Sequence, residues 1–151
     1  SEDRDSFIYK TDRLNGELKM VNLSTGMKSF VILRRLLQNG NIDENGIIIL
    51  DEPEIHLHPE WQLKFAEIIV LIQKEFNTNI LLNTHSPYFL NAIEVYSEKY
   101  AIEKKCNYYL ANEEHGITSI VDVTKETEKI YAKLAKPLQE LENIEYGNAE
   151  V

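Results

Sequence analysis

A chain of 151 residues is the size of one domain. With 43% hydrophobic and 27% charged residues it is not a disordered, collagen-like or disulfide-scaffold chain, and it can build a packed core. The formal net charge of −9 gives a surface that does not attract phosphate backbones, so any nucleic-acid contact is expected to be indirect, through a local basic patch or a partner.

Phe7-Ile8-Tyr9 and Leu18-Lys19-Met20 flank Leu14-Asn15-Gly16-Glu17, and an Asn-Gly pair tolerates the positive φ that a hairpin turn needs, so residues 1–20 read as a hairpin entry. After Leu23-Ser24-Thr25-Gly26, the segment from Lys28 to Gln38 reads as a helix that stops at Asn39-Gly40. Ile47-Ile48-Ile49-Leu50 is an unbroken apolar run, the pattern of a strand buried on both faces of a parallel sheet, and it stops at Asp51-Glu52-Pro53. From Pro59, residues Trp61, Phe65, Ile68, Ile69 and Ile72 form the stripe of an amphipathic helix running to about Glu75.

Asn77-Thr78-Asn79 then turns into the strand Ile80-Leu81-Leu82, and Ser86-Pro87 opens another helix with a cap residue before a proline at the first helical position. Tyr108-Tyr109-Leu110 and Ile117 to Val123 surround Asn112 to Gly116 as a hairpin. A helix follows from Lys125 to Leu141, and Pro137 should kink or end it. Residues 108–151 thus read as an appendage of hairpin and helix. No repeat or linker marks a second domain, so 1–151 is expected to be one domain. The alternation of helix and strand predicts an α/β fold with a mainly parallel sheet flanked by helices, whose ligands sit beyond the carboxyl ends of the strands.

The lone Cys106 cannot form an internal disulfide, which fits a reducing compartment. No apolar stretch approaches the roughly 18 residues that span a bilayer, and residues 1–5 carry no signal-peptide pattern, so no membrane insertion and a cytoplasmic location are expected.

Asp51 and Glu52 stand where a strand leaves the sheet. There a first carboxylate can hold Mg²⁺ through its water shell and a second can orient a water for attack on a terminal phosphate; equally, Asp-Glu-Pro can simply end a strand. Ser24 and the first amides of the following helix can grip an anion, or Ser24 or Thr25 can merely cap that helix. His85 emerges past the strand Ile80–Leu82, where an imidazole can donate to a phosphate oxygen, or it can be a loop histidine without a ligand. His56 and His58, one residue apart near Asp51, Glu52 and Glu54, admit a third chemistry, a transition-metal hydrolase site.

Ser24, Asp51 and His85 together, in this order on these elements, resemble the signature serine, Walker B aspartate and switch histidine in the C-terminal half of an ABC-type ATPase nucleotide-binding domain, a P-loop NTPase fold. Leu50 to Pro59 (LDEPEIHLHP), Asn83-Thr84-His85-Ser86-Pro87 and the tail Lys136 to Leu141 resemble ATPases of the overcoming-lysogenization-defect type, among them prokaryotic defence ATPases. The resemblance covers most of the chain from about Val21. It implies Asp51 for Mg²⁺, Glu52 as catalytic carboxylate and His85 as γ-phosphate sensor. It also implies that Ser24, Thr25 and Gly26 contact the ATP of the opposite protomer in a head-to-tail homodimer or higher oligomer. Leu-Ser-Thr-Gly-Met departs from the transporter form Leu-Ser-Gly-Gly-Gln at its third and fifth positions. Glu54 to Pro59 take the place of the D-loop that couples the two sites, and the family pattern accounts for both histidines.

A P-loop requires G-x-x-x-x-G-K-[ST], and none of the six glycines is followed by Lys-Ser or Lys-Thr. Only 23 residues precede Ser24, the side on which that element normally lies. The chain is therefore expected to act as the signature, Walker B and switch part of an ATPase, inactive alone. An N-terminal Walker A lobe or split subunit would complete it, and it would drive an antiphage or nucleic-acid-directed effector such as a nuclease. The alternative from another class is a nucleotide-independent scaffold or interaction module.

Overall fold

The computed structural model describes residues 8–10, 17–19, 24–114 and 116–147. The chain forms two compact units, Ser1–Thr84 and His85–Val151.

In the first unit, β1 (Ile8–Lys10) and β2 (Glu17–Lys19) pair antiparallel with Tyr9 opposite Leu18. The Asn15-Gly16 turn expected between them, and Leu23 of the Leu-Ser-Thr-Gly segment, lie outside the described residues. Helix α1 (Thr25–Gln38) begins at Ser24, whose Oγ accepts the Met27 N–H at 3.4 Å, and stops at Asn39 and the left-handed Gly40 as its sequence predicts. Strand β3 (Ile47–Asp51), helix α2 (Pro59–Phe76) and strand β4 (Asn79–Asn83) form a β-α-β unit, with β3 and β4 parallel and in register from Ile47 opposite Asn79 to Asp51 opposite Asn83. Proline at the first position fits α2, because the N–H it lacks would be unpaired there anyway. The helix ends on Asn77 at φ 49°, a residue type that tolerates the left-handed region. Its stripe buries Phe65, Ile69 and Ile72, and the Phe30 ring of α1 meets Trp61 and Phe65 edge-on at 5.6 and 4.9 Å. Such aromatic pairs stabilise by about 0.5–1.5 kcal/mol beyond their burial and lock the two helices in register.

The strand pair departs from its sequence reading. An unbroken apolar run predicts burial on both faces, yet Ile47, Ile49 and Leu81 are 75%, 70% and 61% exposed while Ile48, Leu50, Ile80 and Leu82 are half-buried. The described parallel sheet has two strands and only one of its faces is covered.

In the second unit, α3 (Pro87–Lys99) starts at Ser86, whose Oγ accepts the Phe89 N–H at 3.2 Å, and it buries Phe89, Leu90 and Ala92. A 3-10 turn over Glu103–Lys105 leads to Cys106, whose thiol donates to the buried Ser97 hydroxyl at 3.3 Å. Strands β5 (Tyr109–Glu114) and β6 (Ile117–Asp122) pair antiparallel. The hairpin loop is tighter than the five residues predicted, because Asn112, Glu113 and Glu114 continue the ladder. Helix α4 (Glu128–Gly147) runs through Pro137, which neither ends it nor stops it at Leu141. Proline deletes a single ladder hydrogen bond, and at this exposed position water can satisfy the freed carbonyl. The Tyr131 hydroxyl donates to Glu94 and ties α4 to α3. No helix among the described residues is long and apolar enough to cross a membrane.

Candidate functional site

The carboxyl ends of β3 and β4 form a polar rim on the first unit. Side chains alternate along a strand, so Asp51 and Asn83 lie on the same face as Ile49 and Leu81, the open one. Across that last rung the Asn83 Nδ2 donates to Asp51 Oδ1 at 2.8 Å. A carboxylate offers about four lone-pair sites, so this bond orients Asp51 and leaves acceptor capacity for a cation's water shell. The ladder continues one residue further, with the Glu52 N–H donating to the Asn83 carbonyl at 2.9 Å.

Glu52 then takes φ 41°, a left-handed conformation that costs a non-glycine residue about 1–2 kcal/mol. That turn ends the strand alternation at Asp51, so Glu52 opens the loop that leaves the rim. Two tight turns follow, closed by the Ile55 N–H on the Glu52 carbonyl at 3.0 Å and the Leu57 N–H on the Glu54 carbonyl at 2.9 Å, with His56 again left-handed at φ 69°. Leu57 is buried and its carbonyl accepts Gln62 Nε2 at 3.1 Å, so the loop is seated on the start of α2.

The same loop rests against the turn that opens α1. A Cβ on Gly26 would lie 2.7 Å from the His56 carbonyl oxygen and 2.7 Å from Leu57 Cδ2, which is why this position has no side chain. Gly26 is buried, while Ser24 and Thr25 beside it are exposed. His56 and His58 are exposed, and among the described residues no group of three or more His, Cys, Asp or Glu side chains is placed to hold a metal ion. The paired-histidine metal site is thus not assembled. His85 is exposed and directly follows Thr84, at the start of the second unit.

The structure therefore gathers Asp51, Glu52, Asn83 and Thr84 at one rim, and Gly26 with His56 and Leu57. Asn83 and Glu54 are named by the sequence only as members of longer motifs, and the structure gives each a partner of its own. The signal for Asn83 was present in the matching final positions of two consecutive strands, the second ending in an amide where the first ends in an acid.

Residues 1–91 match the family model described as "AAA domain, putative AbiEii toxin, Type IV TA system". The chain belongs to this AAA-domain family. Among its relatives are the Septu protein PtuA of Bacillus thuringiensis, 32% identical over 103 residues, an alignment covering 60% of this chain and 26% of that protein. Another is the "Retron Ec83 probable ATPase" of Escherichia coli, 37% identical over 94 residues, covering 55% of this chain and 17% of the relative. The chain thus spans about a quarter or less of the curated relatives it matches. A solved chain from work on ATP-driven dimerization and DNA-stimulated activation of SMC ATPases superposes with a TM-score of 0.55 at 13% identity, covering 79% of this chain and 66% of that one. The α/β, P-loop NTPase-like fold expected from the motifs is therefore present. The resemblance to ABC-type ATPases also holds, in a family whose relatives include Septu and retron proteins.

Proposed function

We propose that this member of the AAA-domain family contributes the signature, Walker B and switch-histidine elements to an ATP-hydrolysing site, completed by a P-loop from another segment or chain. The observation that carries the reading is the Asp51–Asn83 rung at the carboxyl rim of a parallel strand pair, with Glu52 next to it in a left-handed backbone conformation. In open α/β sheets that rim is where ligands bind.

The oxygen-only chemistry of the rim suits Mg²⁺, which takes one or two carboxylates and substrate phosphates while keeping several waters. Asp51, held by Asn83, would carry the ion, and Mg²⁺ bound with ATP would neutralise charge developing on the phosphates. Glu52 accepts a hydrogen bond from the attacking water and orients it. His85 donates to a γ-phosphate oxygen. Ser24 and Thr25, both exposed, would face the nucleotide of an opposite protomer, while Gly26 serves that turn by allowing its close approach to His56. The bare face bearing Ile47, Ile49 and Leu81 supports the need for a completing lobe, because a two-stranded parallel sheet is ordinarily covered on both sides. The defence-system relatives support an antiphage effector as what hydrolysis drives, with nucleic acid reached through the partner because of the acidic balance.

The test is ATP hydrolysis by this chain alone and by the complete protein or complex that supplies a P-loop. Hydrolysis is expected only in the complete assembly, with Glu52→Gln abolishing turnover but retaining Mg·ATP binding. Turnover by the chain alone would refute the need for a partner. An assembly whose activity survives Asp51→Asn would favour a nucleotide-independent scaffold.

A further inference from the structure

Glu54 is a carboxylate in an unusual place. It lies in the loop between β3 and α2, three residues past Asp51, and is only 5% exposed, whereas Asp51 is exposed and Glu52 half-buried. Buried carboxylates are retained where a specific partner holds them, since an apolar side chain would fill the same space without the desolvation penalty. Here Oε1 accepts the Thr84 hydroxyl, and Oε2 is buried without a hydrogen-bond partner. The loop that carries Glu54 is pinned on its other side by Gly26 against His56. The signature turn, the loop and the end of β4 are therefore joined in series, and Thr84 is the residue immediately before His85.

We propose that Glu54 is a positioning residue that acts through Thr84. It fixes the backbone from which the His85 segment departs, relative to the Asp51–Asn83 rung and the loop after β3. The inference rests on the ATPase reading above and adds a residue to it. Glu54 is buried and bonded to Thr84, so in this role it acts on the position of its neighbours, and its loss changes the rate of the hydrolytic step while leaving ATP affinity in place. Displacements of about 1 Å at a reacting centre can cost a hundredfold in rate, so a brace of this kind registers in kcat.

The experiment uses the complete ATPase, with kcat, KM for ATP and thermal midpoint measured for Thr84→Val, Thr84→Ser, Glu54→Ala and the double variant Glu54→Ala/Thr84→Val. Valine keeps the shape of threonine and removes only the hydroxyl, so Thr84→Val tests the bond even if Glu54→Ala fails to fold. The expected result is a kcat about tenfold or more lower for Thr84→Val, with KM within about threefold of the parent, recovery in Thr84→Ser, and a double variant no slower than the slower single one. A Thr84→Val enzyme with parental kcat would overturn the proposal, as would a loss that Thr84→Ser does not recover, or losses that multiply in the double variant. Glu52→Gln is run alongside. If it abolishes turnover and Thr84→Val does not, only the role of Glu54 fails; if Glu52→Gln hydrolyses ATP normally, the ATPase reading fails and this inference goes with it.

Discussion

Asn83 and Asp51 face each other across the last rung of the β3–β4 ladder, joined by a 2.8 Å hydrogen bond from amide to carboxylate. The amide lets an acid sit at the end of one strand opposite a polar, uncharged end of the other. Asn83→Asp would replace that bond with two facing carboxylates, and like charges across a strand pair destabilise by about 0.2–1 kcal/mol. Urea unfolding at about pH 7 should show this loss relative to the parent, and added salt should shrink the difference by screening the two charges. An unchanged difference at high salt would mean that charge repulsion is not its cause.

Gly26 and Gly40 separate two reasons for glycine. At Gly26 alanine is the better helix former by about 1 kcal/mol, but its methyl would meet the His56 carbonyl, a main-chain atom that cannot rotate away. The overpacking should win, with Gly26→Ala costing about 1–3 kcal/mol net in a denaturant melt. At Gly40 the space is open and only the left-handed φ of 66° resists, so Gly40→Ala should cost about 1 kcal/mol. A Gly26→Ala chain as stable as the parent would show that the loop can retreat.

Burial, and then the hydrogen bond to Glu94, push the Tyr131 phenol up to about 12 from the ordinary 10.0. Burial and the neighbouring Cys106 also raise Tyr108. A phenol whose folded pKa is raised is favoured neutral in the folded state. Its contribution is therefore complete below the unfolded value of 10.0 and is lost as pH climbs towards about 12. Ultraviolet titration should show late-ionising tyrosines among the eight in the chain, one of them absent in Tyr131→Phe. The variant should lose about 1 kcal/mol at neutral pH from the broken bond to Glu94, with a shallower decline in stability above about pH 10.

Ile49 and Phe65 are both large and apolar, and both lie in the β3-α2-β4 unit, but Ile49 is 70% exposed and Phe65 is 2% exposed. Ile49→Thr should leave the chain's stability within about 0.5 kcal/mol, whereas Phe65→Ala should cost about 3–5 kcal/mol. The same Ile49→Thr change should weaken association with a P-loop-bearing lobe in a pull-down or titration. A large loss of intrinsic stability in Ile49→Thr would place that side chain in a core and remove the open face from the argument.

The starts of α2 and α3 and the stops of α1 and α2 were legible in the sequence because they rest on local physics: Ser86 as a cap, Pro59 and Pro87 at first positions, Asn39-Gly40 as a stop, and a 3.6-residue stripe in α2; at the start of α1, where Ser24 and Thr25 both offered a cap, Ser24 holds it. The DE pair at the end of β3 and the order of the motifs were equally visible, and they led to the family. Four things depended on segments far apart in the chain. The apolar run Ile47–Leu50 could not reveal that one face of its sheet lies bare, since burial depends on which other elements arrive to cover it. Pro137 could not reveal that its helix continues, because an exposed position lets water replace the lost bond. Asn83 facing Asp51, and Glu54 held by Thr84, follow from strand register and loop path, and no local propensity encodes these.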